Sequence, residues 1–202
     1  DLVLQTGPRH EWIANIYAKY APHPFANSLT QEIFQSGVLP GQTDFETYIK
    51  VLDAFSKYLM MAIPYINGEP LLSKDIYQAI NAATQRGIGT LIASNGILLN
   101  ESNSRKLIDA GLDCLKVHIS GFTSPIHSIQ HRKGDVERIK RNLVRFMELR
   151  TQMGAKTIVL LDFIRYKHNT HEIEEASRFA KTHGVLFSIR PGNPKGMEFS
   201  EP

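Results

Sequence analysis

The feature that most constrains this chain is an alternation of short apolar runs, six in all, with stretches of helical hydrophobic period. The apolar runs are Leu2–Leu4, Ala62–Ile66, Thr90–Ala93, Leu112–Ser120, Thr157–Ile164 and Val185–Ile189. Helical faces follow: Phe45, Ile49, Leu52, Phe55 and Leu59, then Ile76, Ile80 and Ala83, then Leu107 and Ile108. Two more come later, Val136, Ile139, Leu143, Phe146 and Met147, and finally Ile173, Ala176 and Phe179. The punctuation agrees. Thr43 and Glu46 form a capping box, Ser73 and Asp135 open helices, and Gly87, Gly111 and Gly184 close them. Strands that alternate with helices are parallel, because each crossover returns the chain to the same edge. The expectation is an α/β fold, a partial (βα)6 TIM-like barrel with parallel strands inside and helices outside. An open Rossmann-like sheet is the alternative, but no Gly-x-Gly-x-x-Gly follows the first strand.

At 202 residues, one domain over 1–192 is expected, with 193–202, rich in Gly, Pro and charge, as the start of a linker. The abrupt ends suggest a piece of a longer protein. A net charge of +3 is too small to require nucleic acid or a membrane as partner. With no apolar run of membrane-span length and no leader pattern, a cytoplasmic location is expected. The single cysteine, Cys114, excludes an internal disulfide and any cysteine-based metal site in the chain as written. It falls on a core strand, where a thiol is more often filler than nucleophile.

The polar clusters follow the strands, on the rim where barrel sites are built. Asn67-Gly68-Glu69-Pro70 places one carboxylate beside exposed backbone groups, an arrangement that can grip an ammonium; an ordinary strand-to-helix turn is the bland alternative. Ser94-Asn95-Gly96 follows the next strand, and His118-Ile119-Ser120-Gly121 the one after. Near the start, Ala14, Ala18 and Ala21 stand four and three apart with Tyr20 between the last two. That spacing would aim three short side chains at one small object.

Taken in order, these motifs resemble the radical S-adenosylmethionine enzymes, over nearly the whole chain. The family carries Cys-x3-Cys-x-aromatic-Cys after its first strand, Gly-Gly-Glu-Pro after its second, and Thr/Ser-Asn-Gly after its third. Asn67 replaces the first glycine of the turn. Gln130–Asp135 and Asn169–Ile173 look like stretches of the branch with a C-terminal SPASM-type domain. The resemblance implies S-adenosylmethionine and a [4Fe-4S] cluster as cofactors. It also implies a low-potential electron donor, and an unknown substrate (peptide, sugar or other small molecule) that loses hydrogen to a 5′-deoxyadenosyl radical. Ala14, Ala18 and Ala21 would occupy the three cluster-ligand positions, where a methyl cannot hold iron. Three identical alanines look like Cys→Ala replacement, in a chain silent in that reaction.

The resemblance also implies site roles. Gly68 and Glu69 would face the cofactor's amino group, with Ser94 and Asn95 on the same rim. His118 and Ser120, two apart on a strand, would line the ribose or carboxylate end. Arg132 would pair with the carboxylate or be a solvated loop residue, and Asn169 would meet ribose hydroxyls or cap a helix. Arg190 and Gly192 would bring backbone groups to adenine, with Tyr20 stacked near the ring. His127 with His131, and His168 with His171, have helical metal-ligand spacing but read as surface histidines. The basic run Arg138–Arg145 reads as a solvated helix face. A non-catalytic binding scaffold on the same barrel, and an unrelated barrel enzyme using Glu69 as base, remain alternatives.

Overall fold

The chain divides into two compact units, Asp1–Thr43 and Asp44–Pro202. The computed structural model describes residues 45–65, 68–132 and 134–192, all in the second unit. The expected strand at Leu2–Leu4, the cap residue Thr43, Ala14, Ala18, Ala21, Tyr20, Ile66, Asn67, Lys133 and the linker 193–202 lie outside the described residues.

Within them the alternation holds. Helix α1 (Phe45–Phe55) leads to β1 (Met61–Ala62), a 3-10 turn at Pro70–Leu72 and α2 (Ile76–Gln85). Strand β2 (Gly89–Ser94), α3 (Glu101–Asp109), β3 (Cys114–Ile119), α4 (Ser124–Gln130) and α5 (Val136–Gln152) follow. The chain continues through β4 (Ile158–Arg165), a 3-10 turn at Thr170–Glu172, α6 (Ile173–Thr182) and β5 (Leu186–Pro191). All pairings are parallel and the strand order is β1-β2-β3-β4-β5, each crossover moving one place along the sheet. This is the expected α/β class, a partial barrel with its strands in chain order.

One face of the sheet is the core. Leu115, Val117 and Ile119 of β3 and Val159, Leu161 and Phe163 of β4 pack with Ile139, Leu143 and Phe146 of α5. Burying each such side chain contributes about 1.5–3 kcal/mol. The α5 stripe is thus the inward face its period predicts, and the Asp135 carboxylate caps it by accepting from Arg138 N–H at 2.9 Å. Gly96, at φ 76°, lies under this layer, where an added Cβ would sit 2.8 Å from Ile139. The expected solvated face of α5 is also present: Arg145 pairs with Glu148 and, across to α3, with Glu101.

Three expectations need correction. The strand read as Ala62–Ile66 is two residues long, because Pro64 has no N–H to donate and the chain leaves the ladder. The Tyr65 hydroxyl then takes the neighbouring strand's Ala93 N–H at 2.9 Å. Phe55, read as inward, is 54% exposed, since α1 buries Leu52 against α2 one turn earlier. The helix after the turn begins at Ile76 with Asp75 at its cap, not at Ser73, because Pro70–Leu72 forms its own 3-10 turn first. Helix α4 was not anticipated as an element.

Candidate functional site

The ends of β1, β2, β3 and β4 carry the predicted residues, and hydrogen bonds tie them together in two groups. Glu69 organises the first. Its Oε1 accepts from Leu71 N–H at 3.2 Å and from Ser94 Oγ–H at 2.8 Å, and its Oε2 accepts from Asn95 N–H at 2.8 Å. One carboxylate therefore joins its own turn to the end of β2. Gly68, at φ 90°, turns the chain into this position and has open space around its Cα. Ser94 is fully buried and accepts from Gly96 N–H at 3.0 Å; Asn95 accepts from Ile97 N–H at 2.9 Å. Gly68, Glu69, Ser94 and Asn95 thus stand together as expected from the sequence.

Ser120 organises the second group, just past β3. Its Oγ lies 3.1 Å from His131 Nε2, and its N–H donates to His127 Nδ1 at 3.3 Å. The two imidazoles stack with centroids 4.6 Å apart. His127 is 2% exposed, so it is not the surface histidine its spacing suggested. Burial drives the His127 ring pKa down to about 4, and the neighbouring His131 adds to it. His118, one alternation below Ser120, is lowered to about 4 as well, mainly by burial and then by the Arg190 charge. His131 is also lowered by burial. At neutral pH all three rings are uncharged, so each offers one acceptor and one donor nitrogen. Gly121 permits the compactness: a Cβ there would fall 2.5 Å from the His127 backbone nitrogen.

The loop after β4 props up this group. Asn169, fully buried, accepts from Tyr166 N–H at 2.8 Å and donates to the Ser120 carbonyl at 3.0 Å and the Ile164 carbonyl at 2.9 Å. Its amide is spent on backbone with no exposed atom left for a ribose, and it makes no helix-capping bond. Asn169 is a brace that fixes Ser120, in place of the side-chain helix cap read for it. Glu172, 4% exposed, accepts from Phe122 N–H at 2.5 Å, from Thr123 N–H at 3.3 Å and from the Thr123 hydroxyl. The sequence marked only the stretch Asn169–Ile173 around it and gave Glu172 no role, since an acid opening a helix is ordinary.

The remaining predicted residues make no hydrogen bond to these groups among those described. Arg132 is exposed on the loop after α4. Arg190 meets Asp162 through its Nε at 2.5 Å, and its charge acts on the His118 ring. Gly192 is packed against the Tyr166 ring, where a Cβ would fall 2.1 Å from Cε1. His171 is exposed, and His168 stacks on Tyr166 with centroids 5.4 Å apart. Among the described residues no group of three His, Cys, Asp or Glu is placed to hold a metal ion. Cys114 is buried and its thiol is pushed up to about 11, chiefly by desolvation, so it is inert filler as expected. No helix among the described residues is long and apolar enough to cross a membrane.

No protein-family profile matches the chain. The chain is 27% identical over 135 residues to a probable GTP 3',8-cyclase of Methanocaldococcus jannaschii, covering 66% of this chain and 43% of that protein. It is 50% identical over 48 residues to endoplasmic reticulum metallopeptidase 1 of Mus musculus, 24% of this chain and 5% of that protein. In structure it is similar to Streptococcus suis SuiB bound to S-adenosylmethionine, with a TM-score of 0.65 at 15% identity over 80% of this chain and 37% of that one. The chain therefore spans less than half the length of each of these proteins. The parallel sheet with its surrounding helices and the likeness to SuiB show an α/β partial barrel of the radical S-adenosylmethionine type.

Proposed function

We propose that the described residues are the cofactor-holding core of an enzyme that uses S-adenosylmethionine, which they bind at the rim formed by Gly68, Glu69, Ser94, Asn95 and Ser120. The observation that carries this reading is the Glu69 carboxylate, drawn across to Ser94 and Asn95 at 2.8 Å each. With three donors satisfied it keeps a lone pair for an ammonium. His118 would line the same pocket as an uncharged ring, and Ser120 would offer its hydroxyl, oriented by His131. Arg132, exposed nearby in sequence, would reach the cofactor's carboxylate from the loop.

A [4Fe-4S] cluster held by three thiolates supplies, when bound, the electron that cleaves the sulfonium. The residues of this chain do not fit that group. Ala14, Ala18 and Ala21 have no donor atom, and Cys114 is buried with its thiol near 11. The chain as it stands binds the cofactor without cleaving it. An enzyme built on this core would take its electron from a low-potential donor and act on a peptide, sugar or other small molecule.

A specific observation favours a second reading of the leading segment. The metallopeptidase similarity runs over 48 residues, close to the length of the unit Asp1–Thr43. The cyclase similarity, at 135 residues, is short enough for the unit Asp44–Pro202 to contain it. On this reading a metallopeptidase-like segment is joined to a radical S-adenosylmethionine-type core. Ala14, Ala18 and Ala21 are then residues of that segment and never stood for cysteines.

Two experiments test these readings. Titration of S-adenosylmethionine by calorimetry should give a saturable signal that Glu69→Gln and Ser120→Ala abolish while both variants remain folded; no signal in the unsubstituted chain overturns the cofactor site. Anaerobic iron and sulfide reconstitution of the Ala14→Cys, Ala18→Cys, Ala21→Cys variant separates the accounts of the leading segment. A brown protein that releases 5′-deoxyadenosine supports vacated cluster posts, and a colourless one supports the joined segment.

A further inference from the structure

The sheet face away from the helices is polar at its centre. Strand alternation and register place Lys116 and His118 of β3, Asp162 of β4, and Ser188 and Arg190 of β5 together on that face. Asp162 is 1% exposed and receives the Lys116 ammonium at 3.2 Å, the Arg190 Nε at 2.5 Å and the Ser188 hydroxyl at 2.8 Å. Despite its burial, these three partners hold the carboxyl below its usual range, so it is an anion at neutral pH. The cations outnumber it. Two positive side chains share one carboxylate, and the neighbouring His118 ring is neutral and cancels neither.

Arg190 is the asymmetric member. Only its Nε is engaged; its two terminal nitrogens make no hydrogen bond or ion pair with any described residue, and its side chain is 45% exposed. A guanidinium pinned at one edge is held in orientation while its other edge stays free for a planar or tetrahedral anion.

We infer that the open edge of Arg190, oriented by Asp162 and backed by Lys116, anchors a carboxylate or phosphate group of the molecule on which the enzyme acts. The inference rests on the proposed cofactor core, since it places the substrate's anion on the sheet face beneath the rim. Asp162 and Lys116 act as positioning residues, and Arg190 makes the contact.

The test is a titration of the full chain, followed by nuclear magnetic resonance at the Arg190 Nε–H and the Ser188 amide, with propionate, methyl phosphate and neutral propionamide as probes. A saturable shift with propionate or methyl phosphate and none with propionamide is expected, and the anion that saturates at lower concentration identifies the group. Arg190→Gln should abolish the shift. Arg190→Lys, which keeps the charge but loses the fork, should weaken binding several-fold and serves if the glutamine variant does not fold. Failure of both anions to saturate, an equal response to propionamide, or an undiminished shift in the variants overturns the site. S-adenosylmethionine titrated into Arg190→Gln keeps this result separate from the cofactor reading. Retained binding leaves the anion site to the substrate. Binding lost only in the variant would assign the anion to the cofactor and overturn the inference, whereas no binding in the unsubstituted chain counts against the cofactor core alone.

Discussion

The side-chain amide of Asn169 donates to the backbone carbonyl of Ser120 at 3.0 Å, across 49 residues of sequence, and locks the end of β3 to the loop after β4. Because the same amide also binds Tyr166 N–H and the Ile164 carbonyl, a single buried side chain sets the spacing of two strand ends.

Asn169→Ala should therefore cost about 2–4 kcal/mol, from several buried backbone groups left unpaired. Urea denaturation will read the loss. Cofactor affinity should fall in the same variant, since Ser120 is no longer braced. An unfolding midpoint unchanged from the parent would refute the bracing role.

Replacing Glu172 by Gln removes the charge from the bonds to Phe122 N–H and Thr123 N–H. Charge-assisted bonds are roughly twice as strong as neutral ones, so a loss of about 1–3 kcal/mol is expected. Hydrogen exchange should quicken first at the Phe122 and Thr123 amides. If exchange rises evenly over the whole sheet instead, Glu172 is not a local clasp.

The pH dependence follows from two buried imidazoles. His118 and His127 have folded pKa values near 4, against about 6.5 when unfolded. The unfolded chain therefore binds more protons, and stability present above pH 6.5 is lost as pH falls through 6.5 towards 4, at about 1–3 kcal/mol per ring. Below that window both states are protonated and this loss levels off. Asp162, with its lowered pKa, adds a separate loss beginning only in the usual carboxylate range. Urea midpoints measured from pH 7.5 to 4.5 should decline, and His127→Gln should flatten part of the decline.

Gly121→Ala should be among the most disruptive small substitutions. Its Cβ would meet the His127 backbone 2.5 Å away, and backbone in the middle of α4 cannot rotate aside. Overpacking of this kind costs about 1–3 kcal/mol or more. By contrast, Gly154→Ala has open space around it and bears only the strain of its φ of 64°. Parallel thermal melts should rank Gly121→Ala well below Gly154→Ala.

Native Cys114 should resist a thiol reagent at pH 8, because burial holds the thiol near 11 and the reactive thiolate is scarce. Labelling should occur at the rate of unfolding. Rapid labelling of the folded chain would show that β3 is more open than its burial indicates.

By itself the sequence determined the alternation of parallel strands and helices, because period and punctuation are local properties of a chain. Leu143 and Phe146 declare their inward face, Asp135 its cap, and Glu69, Ser94 and Asn95 their places after successive strands. What tertiary structure decided is who touches whom. Asp162 sits within a run read as apolar, and only strand register brought it to Lys116 and Arg190. Asn169 and Glu172 look like ordinary helix-start residues, and only folding reveals their bonds to backbone some fifty positions away. Hydrogen bonds reach only a few ångströms while the contour between their partners is long, so residue type and spacing can nominate a rim but cannot say which of its side chains are already spent.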